Sequence, residues 1–221
     1  MSCPYDILDV RQRTPEWWQA RVGRVTSSRC AAIFTSGRKK GEESIQRRDY
    51  RLELALGRIT GEPAEDMDTY KSPWVERGKA LEAEAVAATE AATGVLVATP
   101  GFLQHRELLV GTSLDGAMMR PDGLHPVEVK VPKPATHWRY LTDPDVALAD
   151  YGAQMAMHQW ITGHPVLFVS YCPAFPAPLR LHRQVVDQRG QDLEMFEAGV
   201  RAFLEDVDAD VQRIQERCNA Q

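Results

Sequence analysis

The stretch Thr112-Ser113-Leu114-Asp115-Gly116, followed after a turn by Pro126-Val127-Glu128-Val129-Lys130-Val131, decides how this chain folds. The second segment alternates apolar and charged residues with period two, so Glu128 and Lys130 share one side of a strand. Asp122-Gly123 is a tight-turn signal, and Pro132 and Pro134 end the strand. Asp115 closes the first strand and Glu128 lies on its neighbour, so the two carboxylates meet at one sheet edge. Two hard oxygen ligands suit Mg²⁺, which takes one or two carboxylates and keeps waters for a substrate phosphate. Lys130, two residues from Glu128 on the same side, sets an ammonium beside such an ion, where it stabilises an attacking hydroxide or developing phosphorane charge. The set is sufficient for metal-assisted phosphodiester hydrolysis. Taken alone the pair is weak: with 16 Glu and 6 Lys in the chain, Glu-x-Lys arises by chance about 0.4 times, and an exposed strand also carries such pairs.

Working outward, Thr14-Pro15-Glu16 before Trp17-Trp18 starts a short helix that Gly23 closes. Ser27-Ser28 caps a second helix through Ala31, Ala32 and Ile33. Gly37-Arg38-Lys39-Lys40-Gly41 is a basic loop, and residues 47–60 form a helix ended by Gly61. Ser72-Pro73-Trp74 opens a long Ala- and Glu-rich helix that stops at Gly94. Short strands follow at Val95–Val97, Phe102–His105 and Leu108–Thr112. Beyond the deciding stretch come a helix over 146–162, a buried strand at Val166–Tyr171, another at Leu179–Val186, and an amphipathic acidic helix over about 190–217. Helices flanking a strand cluster predict an α/β fold with a mixed central sheet. We read 1–221 as a single domain, with a mainly helical, basic part (1–94), a sheet region carrying the chemistry (95–186) and the C-terminal acidic helix (187–221).

The 221 residues are 43% hydrophobic and 26% charged, ordinary values for a globular protein. No apolar run is long enough for a membrane span, and the N-terminus has neither the basic nor the apolar region of a secretion signal. Cys3, Cys30, Cys172 and Cys218 include no CxxC pair, which fits free thiols in a reducing cytoplasm. Net charge is −5, but residues 1–61 carry twelve Lys/Arg against seven acids. That local excess fits a polyanion site; a salt-bridged helical face fits it equally. His105, His125, His137, His158 and His164 show no metal-ligand spacing and receive no role.

Ordered motifs sharpen the reading. Trp17/Trp18-x-x-Arg21-x-Gly23-x-x-Thr26-x-Ser28, Gly78-Lys79-x-x-Glu82, Ser113-x-Asp115-Gly116, Glu128-x-Lys130-x-Pro132 and Tyr151-x-x-Gln154 occur in this order. In these motifs the chain resembles the lambda exonuclease (YqaJ-type viral recombinase) branch of the PD-(D/E)xK nuclease superfamily. The usual Pro before the Asp is replaced by Leu114, a position that is not a ligand. The resemblance implies a restriction-endonuclease-like core. It implies that Asp115, Glu128 and the Val129 carbonyl bind the catalytic Mg²⁺ (or Mn²⁺ as a substitute), that Lys130 positions and activates water, that Glu82 lies beside the metal, and that Gln154 orders the site. Taken alone, Glu82 and Gln154 read equally as a solvated helix acid and a satisfied polar residue.

Arg21, Ser28 and Ser113 would form a pocket for a terminal 5′-phosphate. Physics favours this: Arg21 can grip phosphate bidentately, and Ser28 near a helix start sits where amides favour anions, although a simple cap is the plainer role. Arg38, Lys39 and Lys40 would contact the duplex backbone, or belong to a loop without contacts. Trp17, Trp18 and Trp74 read as core residues before base-stacking ones. The family implication is a 5′→3′ exonuclease on linear double-stranded DNA ends that releases 5′-mononucleotides and leaves 3′ overhangs. It works as a homotrimer with a phage-type single-strand annealing protein in bacterial cytoplasm. A structure-specific endonuclease of the same fold and a non-catalytic DNA-binding module are the alternatives.

Overall fold

The structure, a computed structural model, describes residues 4–39, 41–63 and 73–220, and only the backbone over 73–80. Cys3, Lys40, Ser72 and the side chains of Trp74 and Lys79 therefore lie outside the described residues. The elements in chain order are β1 (Tyr5–Leu8), α1 (Pro15–Arg21), β2 (Val25–Thr26), α2 (Ile45–Thr60), α3 (Pro73–Thr93), β3 (Val97–Ala98), β4 (Phe102–His105), β5 (Val110–Ser113), β6 (Gly116–Arg120), β7 (Gly123–Lys130), α4 (Pro134–Thr142), α5 (Asp145–Thr162), β8 (Val166–Tyr171), β9 (Leu181–Val186) and α6 (Gln191–Asn219). Short 3₁₀ turns occupy Cys30–Phe34 and Ala177–Leu179. No described helix is long and apolar enough to cross a membrane. The fold is the expected mixed α/β, but the described strands divide between two sheets, one in each of two compact units.

The first unit holds β1, α1, β2, α2, β4, β5 and α6. Its sheet has the order β1-β4-β5-β2, antiparallel except for the β2–β5 pair. Ser44 caps α2 by accepting from the Arg47 N–H at 3.0 Å, which starts that helix two residues before the expected position. Helix α6 carries an apolar stripe at Phe196, Val200, Phe203, Leu204 and Val207, all buried. Phe203 stacks on Tyr50 of α2 and Phe196 on Phe34. The polar flank of α6 is equally committed: Asp206 accepts from Arg47 and Asp210 from Arg51, both at 2.7 Å, and Asp208 pairs with Arg58. With Arg29 on Glu53 and Arg48 on Asp49, much of the positive excess of residues 1–61 is answered within the unit. For α2 the salt-bridged reading of the charge asymmetry therefore holds.

The second unit holds α3, β3, β6, β7, α4, α5, β8 and β9. Its sheet runs β3-β6-β7-β8-β9, with β7 and β8 parallel and the other pairs antiparallel. Parallel neighbours need a crossover, and α4 and α5 supply it. Pro134 both stops the strand and enters α4 at its first turn, a helix that the proline-rich sequence does not announce. Both faces of β7 and β8 are covered. Val127, Val129, Leu167 and Val169 pack with Ala85 of α3, and Val166 and Phe168 pack with Tyr140, Val146, Ala147 and Met155 of α4 and α5. That double cover is why β8 reads as a continuous apolar run. It also means that Glu128, whose register partner is Phe168, is fully buried rather than on an exposed strand face.

Candidate active site

In the second unit the expected corner assembles around β7. Asp115 lies between the end of β5 and the start of β6, and the β6–β7 register sets Gly116 opposite Val127. Asp115 Oδ2 accepts the Val129 N–H at 2.9 Å, which ties that carboxylate to the strand carrying Glu128. Lys130 Nζ contacts Glu128 Oε1 and stands 4.0 Å from Asp115 Oδ2. Residues 128 and 130 thus share a side, as the alternation predicts.

The crossover brings α5 over the same strand. The Lys130 ammonium lies 4.7 Å from the Tyr151 ring centre. His158 Nε2 is hydrogen-bonded to Glu128 Oε2 at 2.7 Å, with both side chains fully buried. Tyr151, Gln154 and His158 follow at helical spacing on α5, so Gln154 is on the helix face that carries the other two. His158 is a residue that the sequence reading leaves without a role. Its place four residues after Gln154 on an otherwise apolar helix was the available signal.

Electrostatics marks the same residues. Burial, then the neighbouring Glu128, pushes the Asp115 carboxyl above its ordinary range, and Glu82 adds to the push. Burial also opposes ionisation of Glu128, but Lys130 and His158 outweigh it and hold that carboxyl low. Lys130 is held in its charged form: burial opposes this, and Glu128 and Asp115 overcome it. A buried carboxylate beside a half-buried one, which cannot ionise cheaply together, is a fit for a divalent cation. The donors are all oxygens, which suits Mg²⁺ better than a softer ion. Glu82 is half-buried on α3 and within electrostatic reach of Asp115.

In the first unit a cavity of about 280 Å³ is lined by Trp17, Trp18, Arg21, Thr26, Ser28 and Tyr50, among others. Arg21 stacks over Trp17 at 4.2 Å from the ring centre. Its guanidinium donates to Ser28 Oγ at 3.1 Å and Thr26 Oγ1 at 3.3 Å. Burial lowers its pKa to about 10, and its Nε has no hydrogen-bond partner among the described residues. Ser113 Oγ accepts from Trp17 Nε1 at 2.7 Å. Arg21, Ser28 and Ser113 are therefore joined through one network, with Trp17 buried and Trp18 half-buried.

Some expected roles change. Ser28 caps no helix: the segment after it is the 3₁₀ turn Cys30–Phe34, preceded by Arg29 with no side-chain cap, and the Ser28 hydroxyl faces Arg21 instead. Arg38 and Lys39 are exposed and are not among the residues lining the Arg21 cavity. Among the described residues, the one His/Cys/Asp/Glu trio with all ligand atoms within 4.8 Å of one another is Asp122, His125 and His164, not Asp115, Glu128 and Glu82. The expectation that no histidines form a ligand set came from linear spacing, which does not see a pair that strand pairing creates.

Residues 16–165, more than half of the chain, match the YqaJ-like viral recombinase domain. Among solved structures, the alkaline exonuclease LHK-Exo from Laribacter hongkongensis superposes with a TM-score of 0.79 at 27% identity, covering 94% of this chain and 99% of that one. The same exonuclease in complex with dAMP gives 0.77 at 27% identity with the same coverage. A phage-related exonuclease from Haemophilus somnus 129PT shares the fold, with a TM-score of 0.65 at 13% identity over 86% of this chain and 96% of its own. No curated protein sequence matches the chain. The family match spans α1 to the end of α5, the segment that carries both the Arg21 network and the Asp115–Glu128–Lys130 corner, and the chain belongs to the YqaJ-like viral recombinase family.

Proposed function

We propose that the protein is a Mg²⁺-dependent 5′→3′ exonuclease on linear double-stranded DNA that releases 5′-mononucleotides and leaves 3′ single-stranded overhangs. That it is a DNA nuclease follows from its family and from its likeness to the alkaline exonucleases. The observation that carries the finer reading is the half-buried Arg21: a guanidinium that donates to two hydroxyls and lies against two indoles, with a spare N–H, is a receptor for an anion. Ser113, whose hydroxyl belongs to that network, is two residues from Asp115 in the chain. The complex of LHK-Exo with dAMP supports a mononucleotide product.

In this reading Asp115, Glu128 and the Val129 carbonyl hold the metal, with Glu82 beside it. A bound Mg²⁺ supplies Lewis-acid polarisation of the scissile phosphate and a more acidic water. Lys130 orients the nucleophilic water and offsets charge developing on the phosphorus oxygens. Gln154 orders the site from α5, and His158 keeps the Glu128 carboxylate turned by holding its second oxygen. Arg21, Ser28 and Ser113 grip the 5′-phosphate, and retaining the new end after each cut favours repeated cleavage. Arg38, Lys39 and Lys40 touch the duplex backbone. The two units, whose chain segments interleave, serve as one exonuclease domain. We extend the proposal, on family resemblance, to a homotrimer that works in bacterial cytoplasm with a phage-type annealing protein. Degradation of a linear duplex beside a covalently closed circle tests end dependence: the circle survives if the reading holds, and its cutting would favour an endonuclease.

A further inference from the structure

We propose that Asp122, His125 and His164 form a second metal site, for a borderline divalent transition ion such as Zn²⁺, separate from the catalytic corner. The strand register creates it. Val127 pairs with Leu167 in the parallel β7–β8 ladder, so the start of β7 and the residues just before β8 run side by side. His125 stands two residues before Val127, and His164 three before Leu167. Their rings lie 4.1 Å apart, inclined by 28°. Asp122, in the turn that joins β6 to β7, places Oδ1 2.9 Å from His125 Nε2. One ligand atom from each of the three residues lies within 4.8 Å of the others.

The backbone leaves room for this arrangement. Gly123 sits at φ +138, and a Cβ built there would come within 2.6 Å of His164 Nε2, so glycine is the residue that admits the ring. His164 follows Gly163, which closes α5 at φ +75, a left-handed turn that glycine adopts without strain. Both ligand-bearing turns are thus held by a paired strand on at least one side.

The donor chemistry selects the ion. Two imidazoles and one carboxylate match the ligand sets of Zn²⁺ and its neighbours, whereas Mg²⁺ takes all-oxygen surroundings. At 2.0–2.2 Å from a common ion the three ligand atoms would stand roughly 3.3 Å apart; the Asp122–His125 pair is already close to that, and the His164 ligand atom lies within 4.8 Å of both. The exposure of Asp122 leaves a position for water. Three residues of strand, about 10 Å, separate His125 from Glu128, so the site clips two turns of the sheet and takes no part in phosphodiester chemistry. The lone stacking of His125 on His164 is the competing account: two aromatic rings in contact with a surface carboxylate nearby.

The test is Zn²⁺ binding by calorimetry to the full chain carrying Asp115→Asn, which weakens the catalytic corner, with several millimolar Mg²⁺ present. We expect one Zn²⁺ per chain that Mg²⁺ does not displace. Adding His164→Gln should weaken it at least tenfold, and His125→Gln should do the same, with circular dichroism confirming that each variant is folded. In the otherwise native chain, His164→Gln should leave Mg²⁺-supported nuclease activity unchanged. Equal Zn²⁺ affinity with and without the histidines, no Zn²⁺ uptake at all, or displacement by Mg²⁺ would each overturn the proposal.

Discussion

Asp115 shows how much of this site is set by one side chain. Its carboxylate is fixed by the Val129 N–H and faces Lys130, so truncation removes the proposed ligand and leaves the half-buried ammonium with Glu128 alone. Asp115→Ala and Lys130→Ala should each lower Mg²⁺-supported nuclease activity by at least about 10²-fold, with circular dichroism unchanged. Retention of activity in both would deny the corner its role. Arg21 tests the other function. Arg21→Lys keeps the charge but loses the planar fork, so it should erode the preference for 5′-phosphorylated ends, and Arg21→Ala should abolish it while metal affinity stays the same. If wild-type protein degrades phosphorylated and dephosphorylated ends alike, there is no phosphate pocket to lose. The closeness of Glu128 and Lys130 was legible because it depends on strand spacing, and that of Arg21 and Ser28 was implied by the family resemblance. His158 was not legible, because its contact with Glu128 spans thirty residues and exists only once the crossover lays α5 on β7. His125 and His164 were missed for the same reason.

At the scale of elements, the helices and strands with strong local signals stand where the sequence puts them. Thr14 caps α1, Gly61 and Gly163 close α2 and α5, and Val166–Tyr171 is a buried strand. The missed elements are short and lean on pairing: β1 and β2 have four and two residues, and β6 (Gly-Ala-Met-Met-Arg) has no β-branched residue to announce it. The break at Leu114-Asp115 was also invisible, since two residues between short strands do not reveal that β5 and β6 belong to different sheets. Packing makes two predictions here. Phe203→Ala empties the space beside Tyr50 and should cost about 3–5 kcal/mol in denaturant unfolding; a loss under 1 kcal/mol would contradict the packing of α6 on α2. His137, buried between Ser170 Oγ at 2.7 Å and Leu179 O at 2.8 Å, is held below its ordinary 6.5 by burial. His182 and His105 shift the same way, also by burial. A folded-state pKa below the unfolded one gives stability that is complete above pH 6.5 and is lost as pH falls toward the depressed values. The urea midpoint, measured in Mg²⁺, should be level from pH 7 to 8 and drop between 6.5 and 5. A midpoint level down to pH 5 would refute it.

At the scale of the whole molecule, charge is the property that sequence composition described least well. A net −5 with an excess of positive charge in residues 1–61 fits a polyanion site and a salt-bridged helical face equally. Asp206, Asp208 and Asp210 of α6 are engaged by Arg47, Arg58 and Arg51, so these acids answer much of that excess within the unit. The positive charge that remains distinctive is Arg21, half-buried and lining a cavity rather than spread over a face. A single such guanidinium supports the proposed recognition of one phosphate at an end. If the proposed homotrimer forms, sedimentation equilibrium should give about three times the 24.8 kDa chain mass, and a monomer at all concentrations would remove that part of the proposal. The most direct test of the central claim is digestion of a linear duplex, phosphorylated at its 5′ ends and labelled at either the 5′ or the 3′ terminus, with Mg²⁺ present. A 5′→3′ exonuclease releases the 5′ label first, as a mononucleotide, while the 3′ label stays on a longer strand. Early release of the 3′ label, or internal fragments with both labels retained, would contradict it.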